Sequence, residues 1–129
     1  PWDVMKVGNE LFVTDGTSRS VLRYSTLGEY LGVFTPAFNN IPQQMALTAS
    51  GTLLVTANGS QPTNSFGLYE FSAAGALLRS WSGPPGLGAR GVAQQQHGGL
   101  LISEAGGNSA TRGLGTIYPN GVADNSNFT

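Results

Sequence analysis

Apolar residues in this chain come in short runs, each followed by a polar tail. Three runs begin at Leu11, Leu53 and Leu100, in LFVTDGTSRSVLRY, LLVTANGSQPTNSFGLYEF and LLISEAGGNSATRGLGTIY. Within them, stretches such as Leu68-Tyr69-Glu70-Phe71 alternate with period 2, the period of a strand with one face buried. Asn, Gly and Ser fill the gaps between runs as turn formers. No stretch sustains a helical period for three turns, so the pattern predicts an all-β chain built from short strands.

The runs recur. Leu11, Leu53 and Leu100 lie 42 and 47 residues apart, and a second marker, a Gly turn between apolar residues, recurs at Gly28, Gly75 and Gly121, 47 and 46 apart. The turns read YSTLGEYLGVF, FSAAGALLRSW and IYPNGVADNSNF. Tyr24, Phe71 and Ile117 stand four residues before the glycines, and an LxV/I-T/S run recurs in each unit. The second unit resolves into four strands, QMALT, TLLVTA, GLYEF and LLRSW. Four short strands per period of roughly 40–50 residues is the signature of a β-propeller blade. A generic β-sandwich is the competing fold, but it does not require these features to recur in order. The expectation is one domain, with three four-stranded antiparallel blades at about 1–40, 41–88 and 89–129.

GNELFVTDGTSRSVLRYSTLGEYLGVF resembles an NHL-type repeat, and GGLLISEAGGNSATRGLGTIYPNG is similar to blades of the streptogramin-lyase-like proteins. More broadly, the chain resembles the six-bladed propellers that include SMP-30/gluconolactonase. The resemblance covers essentially the whole chain. It implies a six-bladed ring with a central channel, of which this chain supplies three blades. In the gluconolactonase-like group, a divalent metal held at the channel by Glu, Asp and Asn does the chemistry. Three blades do not close such a ring, and their outer flanks invite association. The remaining blades would come from a longer chain or from a second copy. A start at Pro1 and an ending at Phe128-Thr129, on an outer-strand position, favour the first.

Charge narrows the partners. Six Lys and Arg against seven Asp and Glu give a net charge of -1. With no basic patch to neutralise phosphates, nucleic acid is not an expected partner. Cysteine is absent, which removes disulfides, thiolate nucleophiles and Cys-ligated metals. No apolar stretch approaches the ~18 residues of a membrane span, and no signal peptide is visible.

In such a blade, the turns between first and second strands and between third and fourth strands share one face. The remaining connections share the other. The latter are expected to be long: Asp15 to Ser20, Ala57 to Ser65, Glu104 to Gly113, TPAFNNIP and SGPPGLGAR. Long loops on a rigid scaffold carry binding, so the candidate ligand-binding residues are Asp15, Arg19, Asn58, Glu104 and Arg112. Asp15 and Glu104 occupy equivalent positions and are weak candidates for Ca²⁺, a hard cation that takes oxygen ligands. Ala57 stands where the middle blade would need an acid. The structural alternative is that both acids cap their turns or pair with Arg19 and Arg112. His97, the single histidine, falls in a tight turn on the opposite face, away from any lyase-type acid–base site. Trp2, Trp81 and Phe128 are expected to pack between blades, and Pro84-Pro85 to form a rigid corner. Asn58 (NGS) and Asn127 (NFT) match the glycosylation acceptor pattern.

The leading expectation is a non-catalytic binding or assembly module outside the cytoplasm, extracellular or periplasmic, for a protein or small-molecule ligand. The runner-up is part of a Ca-type lactonase or lyase. A third reading is a structural repeat in an extracellular assembly.

Overall fold

A computed structural model describes the backbone of residues 1–58, 65–85, 87–106, 113–117 and 123–128, and side chains through 103 apart from 65–66 and 82–88. Among the described residues, twelve strands form three four-stranded sheets. The first contains β1 (Val4–Val7), β2 (Glu10–Asp15), β3 (Ser20–Ser25) and β4 (Tyr30–Val33). The second contains β5 (Ile41–Leu47), β6 (Leu53–Asn58), β7 (Ser65–Phe71) and β8 (Leu77–Pro85). The third contains β9 (Leu87–Gln94), β10 (Leu100–Gly106), β11 (Gly113–Ile117) and β12 (Ala123–Phe128). Each sheet is an antiparallel meander in chain order. The all-β expectation and the three units of four strands both hold. No sheet closes on itself, and among the described residues no helix is long and apolar enough to cross a membrane.

One turn design recurs in the tight hairpins. Between β3 and β4, the Ser25 N–H donates to the Glu29 carbonyl and the Gly28 N–H to the Ser25 carbonyl. Ser25 Oγ accepts the N–H groups of Leu27 and Glu29. Ser72 and Gly75 repeat the arrangement between β7 and β8. Thr48 with Gly51, and Gln95 with Gly98, repeat its backbone part in the β5–β6 and β9–β10 turns. Gly28 and Gly75 have φ of 88° and 86°, in the left-handed region that side chains disfavour.

The second sheet lies between the other two, and strand alternation divides its residues. Leu53, Val55, Ala57 and Phe71 face the first sheet, packing with Phe12, Val21 and Phe38 and with the partly buried Phe34 and Tyr69. Leu54 and Leu68 face the third sheet, packing with Ala89, Leu100, Ile102 and Trp81. Leu53 is 2% exposed, and Leu54, Val55 and Leu68 are fully buried. Each such side chain contributes roughly 1.5–3 kcal/mol of burial. Trp81 therefore packs between sheets as expected, while the Phe128 side chain lies outside the described set.

Three expectations need correction. Trp2 is 61% exposed rather than packed between sheets, its indole lying beside Gly16 of the β2–β3 turn. The segment SGPPGLGAR is not a long loop. Strand β8 runs through Pro85 and β9 starts at Leu87. Pro84 and Pro85 are tolerated there because β8 is an edge strand, with no outer partner needing their missing N–H groups. Asp15 to Ser20 is also a tight turn, for a reason visible in its hydrogen bonds, given below.

Candidate functional site

The first strands of the second and third sheets carry a bulge opposite one hydroxyl residue of the second strand, and in the first sheet the residues just before β1 face the equivalent hydroxyl. In the middle sheet, Pro42 pairs with Ala57 and Met45 with Val55, so Gln43 and Gln44 together oppose Thr56. In the third sheet, Gly91 pairs with Ser103 and Ala89 with Glu104, leaving Arg90 as the extra residue. In the first sheet, Trp2 and Asp3 both bond to Thr14. A bulge turns one main-chain group out of its own ladder.

Hydroxyl groups take up what the bulges release. Thr14 Oγ1 accepts the Asp3 N–H at 2.9 Å within its own sheet and donates to the Gln43 carbonyl of the next sheet at 2.9 Å. Thr56 Oγ1 accepts the Gln44 N–H at 3.1 Å and donates to the Arg90 carbonyl at 2.8 Å. Thr14 and Thr56 are fully buried, so neither hydroxyl has water as a substitute for these main-chain partners. Asp3 adds a third tie, its Oδ2 accepting the Met45 N–H of the next sheet at 2.9 Å.

These ties set out a polar strip along the first strands. Gln43, 4% exposed, presents Oε1 to Arg90 Nη1 at 2.7 Å. Arg90 itself is exposed, and its other guanidinium nitrogens make no hydrogen bond among the described residues. Nearby, Asn58 ends β6 opposite Ile41. Its Oδ1 is buried and has no hydrogen-bond partner among the described residues. A Cβ on Gly16 would come within 3.2 Å of both Ile41 and Trp2, so the β2–β3 turn closes over the same end of the strip.

The residues predicted from sequence have mixed fates. Asp15 is spent on its own turn, with Oδ2 accepting the Ser18 N–H at 2.7 Å. This is the capping role, and it explains why the turn is tight. Arg19 does not pair with Asp15. It has φ of 53°, and its Nη1 donates to the Asn39 carbonyl at 2.8 Å while its own carbonyl accepts the Phe38 N–H. It therefore pins the 34–40 connection to the turn. No hydrogen bond joins Asp15, Arg19 and Asn58 to one another among the described residues. The Glu104 backbone pairs with Ala89 and Gly113. The Glu104 side chain and the whole of Arg112 lie outside the described residues. His97 is exposed in the β9–β10 turn, at the other end of the sheet, as expected. Among the described residues, no three His, Cys, Asp or Glu side chains converge as a metal site.

Sequence reasoning passed over Asp3, Gln43, Gln44 and Arg90. Their signal was indirect. The Thr/Ser at the end of each LxV/I-T/S run marks the position, but only the bulge register identifies which first-strand residues face it.

Two carboxylates are held acidic by their partners. The hydrogen bonds from Arg23 keep Glu10 below its ordinary value of 4.5, and those from the Ser18 N–H and hydroxyl keep Asp15 below 3.8. A depressed folded-state pKa gives stability that is present above the unfolded value and lost as pH falls through the folded one. Stability should therefore drop below about pH 4.5. Both groups are well solvated, so the effect should be small. Urea midpoints at pH 7 and pH 3 should differ less for Glu10→Gln combined with Asp15→Asn than for the wild type. An unchanged difference would remove these two groups as its source.

No family model matches the chain, and no curated protein matches it. Among solved structures, it is similar to a protein of unknown function from Bacteroides caccae, with a TM-score of 0.65 and 18% sequence identity. The match covers 95% of this chain and 44% of that one, so the chain spans less than half of that protein's length. At this identity the likeness establishes a shared fold, and the chain adopts the all-β arrangement of at least that part of the Bacteroides protein.

Proposed function

We propose that the three sheets are consecutive blades of a six-bladed β-propeller of the NHL/SMP-30 kind, acting as a non-catalytic binding module at the polar strip of the first strands. The ring reading is supported by the ties from Thr14 to Gln43 and from Thr56 to Arg90, which link each first strand to the next in constant order. Packing of β5 against both β2 and β9 adds to it.

The binding reading rests on one observation. Arg90 is an exposed cation held in place by a buried amide, with the rest of its guanidinium free of hydrogen bonds to described residues. A guanidinium so placed suits a carboxylate or a carbonyl-rich ligand, protein or small molecule. Binding is favoured over catalysis because the described carboxylates near the sheets are already engaged. Asp3 accepts the N–H groups of Val4 and Met45, Glu10 pairs with Arg23, Asp15 caps its turn, and Glu70 holds Arg79 and Thr52. None of these four is left unpaired, and Glu29, also a described carboxylate, stands exposed in the β3–β4 turn away from the strip.

Titration of ¹⁵N-labelled protein with succinate, and separately with neutral succinamide, tests this. Succinate should move the Arg90 Nε–H and Gln43 side-chain amide signals, and succinamide should move them much less. Arg90→Ala should abolish the response of the Gln43 amide, with circular dichroism verifying that the sheets remain folded. Equal responses to both probes, or none, would contradict the reading.

A further inference from the structure

A cleft of about 200 Å³ opens where the 34–40 connection crosses the second sheet. Ala37, Phe38 and Asn39 line one side, and Tyr69, Phe71 and Leu77 the other. The cleft belongs to the junction of the first and second sheets, which is complete within the chain: Phe38 and Phe71 are 8% and 1% exposed there. The Phe38 ring stacks on Tyr69 with centroids 5.0 Å apart and lies 5.7 Å from Phe71. Gly67 makes this pose of Tyr69 possible. A Cβ at Gly67 would come within 2.6 Å of the phenol ring and 2.9 Å of its hydroxyl. Leu77, 51% exposed, leaves an apolar wall of the cleft open to solvent.

Two polar groups border these walls with hydrogen-bonding capacity to spare. The Tyr69 hydroxyl has no hydrogen-bond partner among the described residues, and burial of the phenol raises its pKa above the ordinary 10.0, so at neutral pH it is a donor. Arg19 is fixed at the Asn39 edge. Its Nη1 donates to the Asn39 carbonyl at 2.8 Å, and its own carbonyl accepts the Phe38 N–H at 2.9 Å. Its remaining guanidinium nitrogens make no hydrogen bond among the described residues. A guanidinium already held in place costs less ordering on binding than a free surface arginine. The size of the cleft limits the ligand. An apolar cavity of roughly 150 Å³ holds one benzene ring, so this one admits a single ring with a small substituent. Aromatic walls favour an aromatic ring, and the guanidinium selects a carboxylate as the substituent.

We infer that this cleft binds a small, single-ring aromatic carboxylate. The ring lies against Phe38, Tyr69 and Leu77, the carboxylate meets the Arg19 guanidinium at the Asn39 edge, and the Tyr69 hydroxyl supplies a second donor. Arg19 thus acts as a ligand-binding residue at a cleft of its own, on residues the polar strip does not use. The inference depends neither on the ring reading nor on what binds at Arg90.

Titration with benzoate, its neutral analogue benzamide, and ring-free acetate, read on the ring signals of Phe38 and Tyr69 by NMR, tests it. Benzoate should shift both rings saturably. Benzamide should bind roughly tenfold more weakly, having lost the charge-assisted hydrogen bond, and acetate should leave the rings unmoved. Ala37→Trp, a change at an exposed wall residue that fills the cleft, should abolish the benzoate response. Arg19→Gln should lower benzoate affinity to that of benzamide while leaving benzamide binding unchanged, which separates loss of the charge from collapse of the walls. Circular dichroism of each variant verifies that the sheets remain folded. Absence of a saturable benzoate shift, benzamide binding as tight as benzoate, or benzoate binding unaltered in Ala37→Trp would overturn the inference. So would loss of benzoate binding in Arg90→Ala, which would place the anion on the polar strip instead. The succinate titration reads Arg90 and Gln43, and its outcome is separate from all of these.

Discussion

Thr56→Val should destabilise the protein by about 2–4 kcal/mol, although it alters one buried atom's chemistry and almost no volume. The side-chain shape is kept, so neither a cavity nor a clash contributes. What disappears is the oxygen that accepts the Gln44 N–H and the proton that reaches the Arg90 carbonyl. Both main-chain groups then face an apolar methyl at a side chain that is fully buried, where their partner stood. An unsatisfied buried polar group costs roughly 1–3 kcal/mol, more than a typical hydrogen bond contributes net. Thr56→Ser, which keeps the hydroxyl and loses a methyl, should cost clearly less. Urea unfolding of the three proteins distinguishes the outcomes. If serine is as damaging as valine, packing rather than the relay holds the middle and third sheets together.

Gly75→Ala should cost more than Gly28→Ala by roughly 1–3 kcal/mol. The two glycines occupy the same place in the same turn, with φ of 86° and 88°. Each alanine bears the left-handed backbone penalty of roughly 1–2 kcal/mol. Around Gly28 a new Cβ meets nothing within 4 Å, but at Gly75 it would sit 2.0 Å from the Phe34 carbonyl oxygen. That oxygen belongs to the backbone and cannot swing away as a side chain would. The β7–β8 turn or the segment after β4 must therefore move, loosening the outer contact between the first and second sheets. Thermal unfolding of both variants beside the wild type measures the difference. Equal losses would mean that the turn and Phe34 do not bear on each other.

The sequence carried the strand pattern openly because alternation and turn chemistry are local. Leu68-Tyr69-Glu70-Phe71 reads as a strand wherever it lies, and the Ser-x-x-Gly turns at Ser25 and Ser72 need only their own four or five residues. The recurrence of these features over the chain also made the three units countable. The chemistry of the strip was hidden for the opposite reason. Whether Arg90 or Gly91 faces Ser103 depends on a bulge, a one-residue shift in register that no local pattern announces. Asp15 drew attention as a carboxylate at a loop mouth, yet its geometry assigns it to the Ser18 N–H. The same residue type at the same position satisfies either role, and only the backbone path selects one. Trp2 was misread because a large aromatic side chain is ordinarily buried, and here its indole lies beside the Gly16 turn and is 61% exposed.

Amide hydrogen exchange, residue by residue, tests most directly whether one hydroxyl per sheet ties two first strands together. In the wild type, the N–H groups of Asp3 and Gln44 should be protected although Gln44 lies in a bulge and Asp3 just outside β1, where ladder hydrogen bonds are missing. Thr14→Val should release the Asp3 N–H and leave Gln44 protected, and Thr56→Val should do the reverse. Fast exchange of both amides in the wild type, or a uniform change across all three sheets in either variant, would contradict the relay.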